Sequence, residues 1–100
     1  MIAKLLTIEE MKQSIAEHYV SCFKYVRVSS DYRFVFAGEW LTPDHRQMID
    51  DGEAVHSAAY AKVYRATEAK PLRVEIEGHS MTLKAYAAPD DEENIRLLLS

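Results

Sequence analysis

The chain has 100 residues, a length that supports one domain with a single hydrophobic core. Hydrophobic residues make up 48% of it and charged residues 28%, close to globular averages, which excludes disordered, collagen-like and coiled-coil classes. The net charge of −4 argues against sequence-independent nucleic-acid binding, because such binding needs a basic stripe. No apolar run approaches the roughly 18 to 20 residues that span a bilayer, so no membrane partner is expected.

The start of the chain and its cysteine content predict the compartment. The opening stretch MIAKLLTIEEM runs into two glutamates, unlike a secretory signal. Cys22 is the only cysteine, which excludes an internal disulfide and favours a reducing compartment. We therefore expect a cytoplasmic protein whose residues 1–100 form one domain.

A capping box opens the first predicted helix. Thr7 and Glu10 form a T-x-x-E pattern, in which each side chain can satisfy the other residue's free backbone N–H. Apolar residues then recur at steps of three and four, which indicates one buried helical stripe over about residues 8 to 22. The stripe consists of Ile8, Met11, Ile15, Tyr19 and Cys22.

The next stretch, FKYVRVSSDYRFVFAGEW, predicts a β-hairpin around a Ser-Ser-Asp turn. We expect its strands at 24–28 and 32–36, and a three-residue loop would set Val26 opposite Phe34. The core face of this hairpin would carry Val26, Val28, Tyr32, Phe34 and Phe36.

The opposite face of the predicted hairpin would carry Tyr25, Arg27, Arg33 and Val35. The same register sets Arg27 directly across from Arg33, and like charges that face each other destabilise a sheet. Either the register is different, or an anionic group covers the pair. A glutamate of this chain would serve as well as a partner.

The middle of the chain predicts helix. Thr42 and Pro43 resemble a helix cap followed by proline at the first helical position. A helical stride of apolar residues then continues past Gly52. Two interpretations remain: one helix over about 43–67, or a short helix, a DDG loop and an alanine-rich helix from about 53. The second is favoured, because glycine inside a helix costs about 1 kcal/mol.

Aromatic residues would line one side of that alanine-rich helix. His56, Tyr60 and Tyr64 recur at steps of one helical turn and would form a ridge beside the buried stripe. Tyrosine is enriched where proteins touch, because it combines a large contact area with a polar end. The alternative is that the ridge merely covers a sheet edge or packs beside the first helix.

The last third of the chain predicts a second hairpin and a final helix. Apolar residues alternate with charged ones over 72–77 and again over 81–85, on either side of a Gly-His turn. This pattern pairs Val74 with Leu83 and Ile76 with Met81. Pro89 and four acidic residues then favour a helix start. The inward residues of this last helix would be Ile95, Leu98 and Leu99.

These elements together predict an α+β fold in the order helix, hairpin, helical region, hairpin, helix. Its architecture would be an antiparallel sheet of about four strands, built from two hairpins, with helices packed on one face.

No pattern points to catalysis, a metal or a cofactor. His18 and Cys22 lie one predicted helical turn apart, but two ligands do not make a zinc site. The acidic residues around Gly52 lack the alternating spacing of calcium loops. The three glycines are too far apart to form a phosphate loop, and no motif presents a nucleophile. We therefore expect a protein that is not an enzyme.

The leading functional hypothesis is a small non-catalytic regulator or inhibitor that occupies a surface of a larger protein or protein complex. Its candidate contact residues are Tyr25, Arg27, Arg33, Tyr60 and Tyr64. In size and charge the chain resembles small inhibitors of phages and mobile elements, anti-CRISPR and immunity-type proteins among them, although no motif carries that resemblance.

Two alternatives remain open from the sequence. A nucleic-acid-associated regulator would use Arg27, Arg33 and the nearby Lys24, against the overall negative charge. A self-associating module would pair an open hairpin edge with its twin across a two-fold axis, as a homodimer.

Overall fold

The computed structural model of the protein describes residues 4–29, 31–38 and 43–100. Strands β1 to β4 form an antiparallel sheet in the order β2-β1-β3-β4, and β5 and β6 form a separate pair. The elements in chain order are α1 (Ile8–Glu17), β1 (Val20–Val28), β2 (Asp31–Phe36), a 3₁₀ helix (His45–Met48), β3 (Val55–Tyr64), β4 (Arg73–Glu77), β5 (His79–Ser80), β6 (Ala85–Tyr86) and α2 (Asp91–Leu99). The predicted α+β class and four-stranded antiparallel sheet are confirmed. Neither helix in the described ranges has the length and apolarity that a bilayer crossing requires.

Helix α1 begins as predicted and ends early. Glu10 N–H donates to Thr7 Oγ1 at 3.1 Å, and Thr7 N–H donates to Glu10 Oε1 at 3.0 Å, so the capping box is confirmed. The predicted end at residue 22 is wrong, because β1 begins at Val20 and pairs with strands on both sides. Sheet pairing thus overrides the helical stride, and Cys22 lies on a strand.

The first hairpin forms, but its register differs from the prediction by one residue. Tyr25 lies opposite Phe34, and Val26 lies opposite Arg33. The connection between the strands has two residues instead of three, and Ser29 takes the left-handed φ of +57° that tight connections use. A shift of one residue moves a side chain to the other face of a sheet. The predicted outward position of Tyr25 is therefore wrong.

Both α-helices pack on the same face of the sheet, as predicted. This face holds the larger core cluster, in which Phe23 and Phe34 meet edge to face with ring centroids 6.4 Å apart. The helices contribute Met11, Ile15, Ile95 and Leu99 to it. Leu98 was expected to point inward as well, and it is 41% exposed. The buried stripe of α2 steps by four residues from Ile95 to Leu99, which leaves Leu98 beside it.

A smaller core lies on the second face of the sheet. It is covered by the 3₁₀ helix through Met48 and by Leu83 and Ala85 around the β5–β6 pair. The sheet contributes Val26, Val35 and Ala58 to this core.

The predicted helix after Gly52 is wrong, because residues 55–64 form the central strand β3. Residues that are four positions apart lie on one face of a helix. Because four is a multiple of two, the same residues can also lie on one face of a strand, so the spacing fits both structures. The small side chains Ala59 and Ala61 are fully buried there beneath the aromatic rings of β1. Gly52 lies in a turn at a φ of +85°, and the predicted cap at Thr42 lies outside the described residues.

The strands of the predicted second hairpin pair with other partners than expected. The strand predicted over 72–77 exists, but β4 pairs with β3, which aligns Val74 with Val63. Gly78, at a φ of +70°, turns the chain out of the sheet, and β5 then pairs with β6. Met81, the expected partner of Ile76, lies in the turn between β5 and β6 and is 81% exposed.

We expect Phe34→Ala to lower the free energy of unfolding by about 3–5 kcal/mol, because its ring is 1% exposed and surrounded by other rings. Urea denaturation monitored by circular dichroism measures the loss. Met81→Ala is the control and should change stability by less than about 0.5 kcal/mol. Equal stability of the two variants would contradict the assignment of Phe34 to the core.

Candidate functional site

The described residues leave half of the second sheet face uncovered. We call this surface the open face. Cross-strand partners share a face, and the register brings Cys22 beside Lys62 and Tyr64 beside Arg73. Tyr19, Cys22 and Arg73 are exposed, and Tyr60, Lys62 and Tyr64 are half-buried. The open face consists of Tyr19, Cys22, Tyr60, Lys62, Tyr64 and Arg73.

An aromatic and cationic stack forms the centre of this surface. The Tyr19 ring meets the Tyr64 ring edge to face, with centroids 6.1 Å apart, and the Arg73 guanidinium lies 4.2 Å from the Tyr64 centroid. Tyr64 ends β3, Arg73 begins β4, and Tyr19 lies in the bend just before β1, so two strands and the start of a third position the stack. The carboxylate of Glu75 raises the pKa of the Tyr64 hydroxyl above its usual range.

Tyr60 lies at the border between the open face and the smaller core. Its ring meets His45 edge to face at 5.2 Å, and the Lys24 ammonium lies 5.8 Å from its centroid. Burial lowers the pKa of His45, whose Nε2 lies 3.0 Å from the Ala59 carbonyl. Gly78 packs against the other side of the ring, where a Cβ would come within 3.0 Å of Tyr60. Tyr60 is therefore held in one position.

A buried carboxylate lies on the other face of the sheet, under the start of α2. Asp91 is 0% exposed and accepts hydrogen bonds from the Tyr25 hydroxyl at 2.6 Å, the Tyr32 hydroxyl at 2.7 Å and Ala88 N–H at 2.8 Å. Arg27 Nη1 donates to it at 3.2 Å. This constellation was not anticipated from the sequence, where Asp91 was one of four acids assigned to a helix start.

The hydrogen bonds decide the charge of that carboxylate. Burial by itself raises the pKa of Asp91, but the bonds from Tyr25, Ala88 and Tyr32 outweigh burial and lower the pKa below its usual range. Burial and the same carboxylate raise the pKa of Tyr25, and burial raises the pKa of Tyr32 to about 12. Asp91 is thus ionised and both hydroxyls are protonated donors at neutral pH.

Arg33 lies on the opposite face from Arg27, in an ion pair of its own. Its Nη1 and Nη2 donate to the two oxygens of Glu53 at 2.6 and 2.7 Å, and its Nε donates to Asp31 at 3.1 Å. The hydrogen bonds from Arg33 lower the pKa of Glu53 to about 2. The register thus differs from the predicted one, so Arg27 and Arg33 do not face each other, and acids of this chain pair with each arginine.

The five residues predicted as contacts do not form one surface. Tyr25 is 0% exposed, so its assignment to a contact surface is wrong. The Arg27 and Arg33 side chains are 14% and 15% exposed and lie on opposite faces. Tyr60 and Tyr64 share the open face. Tyr19 and Arg73 were missed. Tyr19 was placed in the buried stripe of the first predicted helix, and the strand that carries Arg73 was paired with residues 81–85 instead of with β3.

No metal or catalytic arrangement forms within the described ranges. No group of three or more His, Cys, Asp and Glu side chains there could hold a metal ion. His18 bonds through Nδ1 to the Ser14 carbonyl at 3.0 Å, and Cys22 lies on β1. Asp91 has unusual surroundings, but it is sealed from solvent and cannot reach a substrate in this conformation.

Comparison of the chain with protein-family models, with curated proteins and with solved structures gives no match.

We expect Asp91→Asn to destabilise the protein by about 3 kcal/mol at neutral pH, because two hydroxyls and an arginine lose their anionic acceptor. The folded-state pKa of Asp91 lies below its unfolded value. Its ionisation therefore stabilises the fold above the unfolded pKa, and that contribution is lost as the pH falls through the folded pKa.

Urea denaturation between about pH 7 and pH 2 measures this loss. The wild type should lose more stability with acid than Asp91→Asn does. Glu92→Gln, at the exposed next position of α2, is the matched control and should follow the wild type. Parallel pH profiles for the wild type and Asp91→Asn would show that Asp91 is not the titrating group.

Proposed function

We propose that the protein is a small non-catalytic regulator or inhibitor that binds a larger protein or protein complex through its open face. The observation that carries this proposal is the stack of Tyr19, Tyr64 and Arg73, which is accessible and already ordered. Tyr19 is 56% exposed although its ring packs on Tyr64. An exposed aromatic side chain that is held in place suits a contact residue.

The physical chemistry of the stack favours protein binding. Tyrosine and arginine are enriched among the residues that dominate binding energies. Tyr64 and Arg73 lie on strands and the Tyr19 ring packs on Tyr64, so little conformational entropy is lost when a partner binds. Lys62 and Glu75 lie opposite each other beside the stack and supply polar groups of both signs for a rim.

The charges favour a protein over a nucleic acid. Arg27 and Arg33, the basis of the nucleic-acid alternative, are each paired with carboxylates and lie on opposite faces. The cations of the open face, Lys62 and Arg73, are neighbours of Glu75, which reduces the positive potential that phosphates need.

Small size and a net charge of −4 fit an inhibitor of phage or mobile-element type that acts on a cytoplasmic complex. In this proposal the protein acts by covering a surface of its target.

A quantitative affinity capture from host extract tests the proposal with three variants. Tyr64→Ala should reduce recovery of the partner roughly tenfold or more, because it removes the central ring of the stack. Leu97→Ala is the matched control, since it removes a 58% exposed apolar side chain from α2 on the opposite face and should leave recovery unchanged. Tyr19→Ala should give an intermediate loss.

Melting curves must first show that all three variants are folded. A partner that binds folded Tyr64→Ala as well as the wild type would refute the open face as the binding surface. Capture of nucleic acid, with binding that collapses between low and moderate salt, would favour the alternative instead.

A further inference from the structure

The outer edge of β4 has no partner in the part of the chain that is described. The inner edge of β4 pairs with β3 over five residues. No backbone hydrogen bond from a described turn, loop or cap reaches residues 72–77. An unpaired edge strand presents N–H and C=O groups that a further strand can use.

The alternation of the backbone shows which groups face outward. The N–H and C=O groups of successive residues in a strand point alternately to its two neighbours. The Cys22 carbonyl accepts from Ala37 N–H at 3.1 Å, on the β2 side of β1. The backbone N–H and C=O groups of Phe23 therefore point to β3, where Phe23 lies opposite Ala61.

The same alternation carries across β3. Since the backbone N–H and C=O groups of Ala61 point to β1, those of Lys62 point to β4, where Lys62 lies opposite Glu75. The backbone N–H and C=O groups of Glu75 therefore point back to β3. Those of Val74 and Ile76 point to the free outer edge of the sheet. Leu72, just before β4, continues this alternation.

We propose that β4 pairs antiparallel with β4 of a second copy of the chain, across a two-fold axis at Val74. The axis sets Val74 against its own copy and Leu72 against Ile76 of the second copy, on the helix-covered face. On the open face it sets Arg73 of each copy against Glu75 of the other. In this register Leu72, Val74 and Ile76 of one copy lie opposite the same set of the other copy. Their backbone N–H and C=O groups all point to the outer edge, so they can form hydrogen bonds between the copies.

Charge selects this register. Cross-strand neighbours of opposite sign stabilise a pair of strands, and like charges directly opposite destabilise it. An axis at Arg73, Glu75 or Glu77 would set that residue against itself. An axis at Ile76 would set Glu75 against Glu77 twice. Of the five positions in β4, only Val74 gives two arginine–glutamate pairs and no like pair.

The dimer would be a continuous eight-stranded sheet, with four strands from each copy. A two-fold axis perpendicular to a sheet leaves each copy's faces on the same side, so the two open faces would lie side by side. This inference concerns self-association and does not depend on the proposed function. It goes beyond that function by predicting a doubled contact surface.

Sedimentation velocity of the purified protein, from low micromolar to near-millimolar concentration, tests the dimer and its register. The wild type should form dimers over this range. Glu75→Arg should raise the dissociation constant about tenfold, because both arginine–glutamate pairs become repulsive. The charge swap Arg73→Glu with Glu75→Arg should restore dimerisation to near the wild-type level.

Glu77→Arg is the matched control, since it makes the same charge change on the same face of β4. In the proposed register Glu77 lies opposite Pro71 of the second copy, so this variant should dimerise like the wild type. A monomeric wild type at every concentration would overturn the proposal. Equal weakening by Glu75→Arg and Glu77→Arg, or a folded charge swap that stays monomeric, would also overturn it. Melting curves establish that each variant is folded.

Discussion

The carboxylate of Asp91 is the polar contact on which the position of α2 depends. It lies at the start of α2, and the hydroxyls that bind it come from β1 and β2, so one side chain ties the end of the chain to the first hairpin. A buried anion is stable only when donors surround it, and here two tyrosines, an arginine and a backbone N–H do so. The position of α2 is therefore specified by polar geometry as well as by the packing of Ile95 and Leu99.

The two faces of the sheet differ in the side chains that they hold. The helix-covered face holds the aromatic core and the Asp91 network. On the second face, Glu53 holds Arg33 near the smaller core, while Tyr19, Tyr64 and Arg73 remain accessible. The accessible aromatic and cationic stack thus lies on the part of the second face that the described elements leave uncovered.

Local signals were readable from the sequence, and non-local pairings were not. The capping box at Thr7 and the acidic start of α2 depend on neighbouring residues, and both appear in the structure. The strand β3 was misread because a stride of four fits a helix and a strand equally well. The register of β1 against β2 depends on the length of one turn, and a single residue reversed the faces of Tyr25 and Arg27. The role of Asp91 depends on residues more than fifty positions away.

The buried alanines of β3 limit the substitutions that this strand can accept. Ala58 packs into one core, and Ala59 and Ala61 pack into the other, so the middle of β3 contributes little more than methyl groups to either layer. On the helix-covered face, bulk is supplied by the rings of the neighbouring strands β1 and β2 and by the aliphatic chains of the helices. A larger side chain at any of these three positions would require a loss of volume in the residues packed against it, because protein interiors are close-packed.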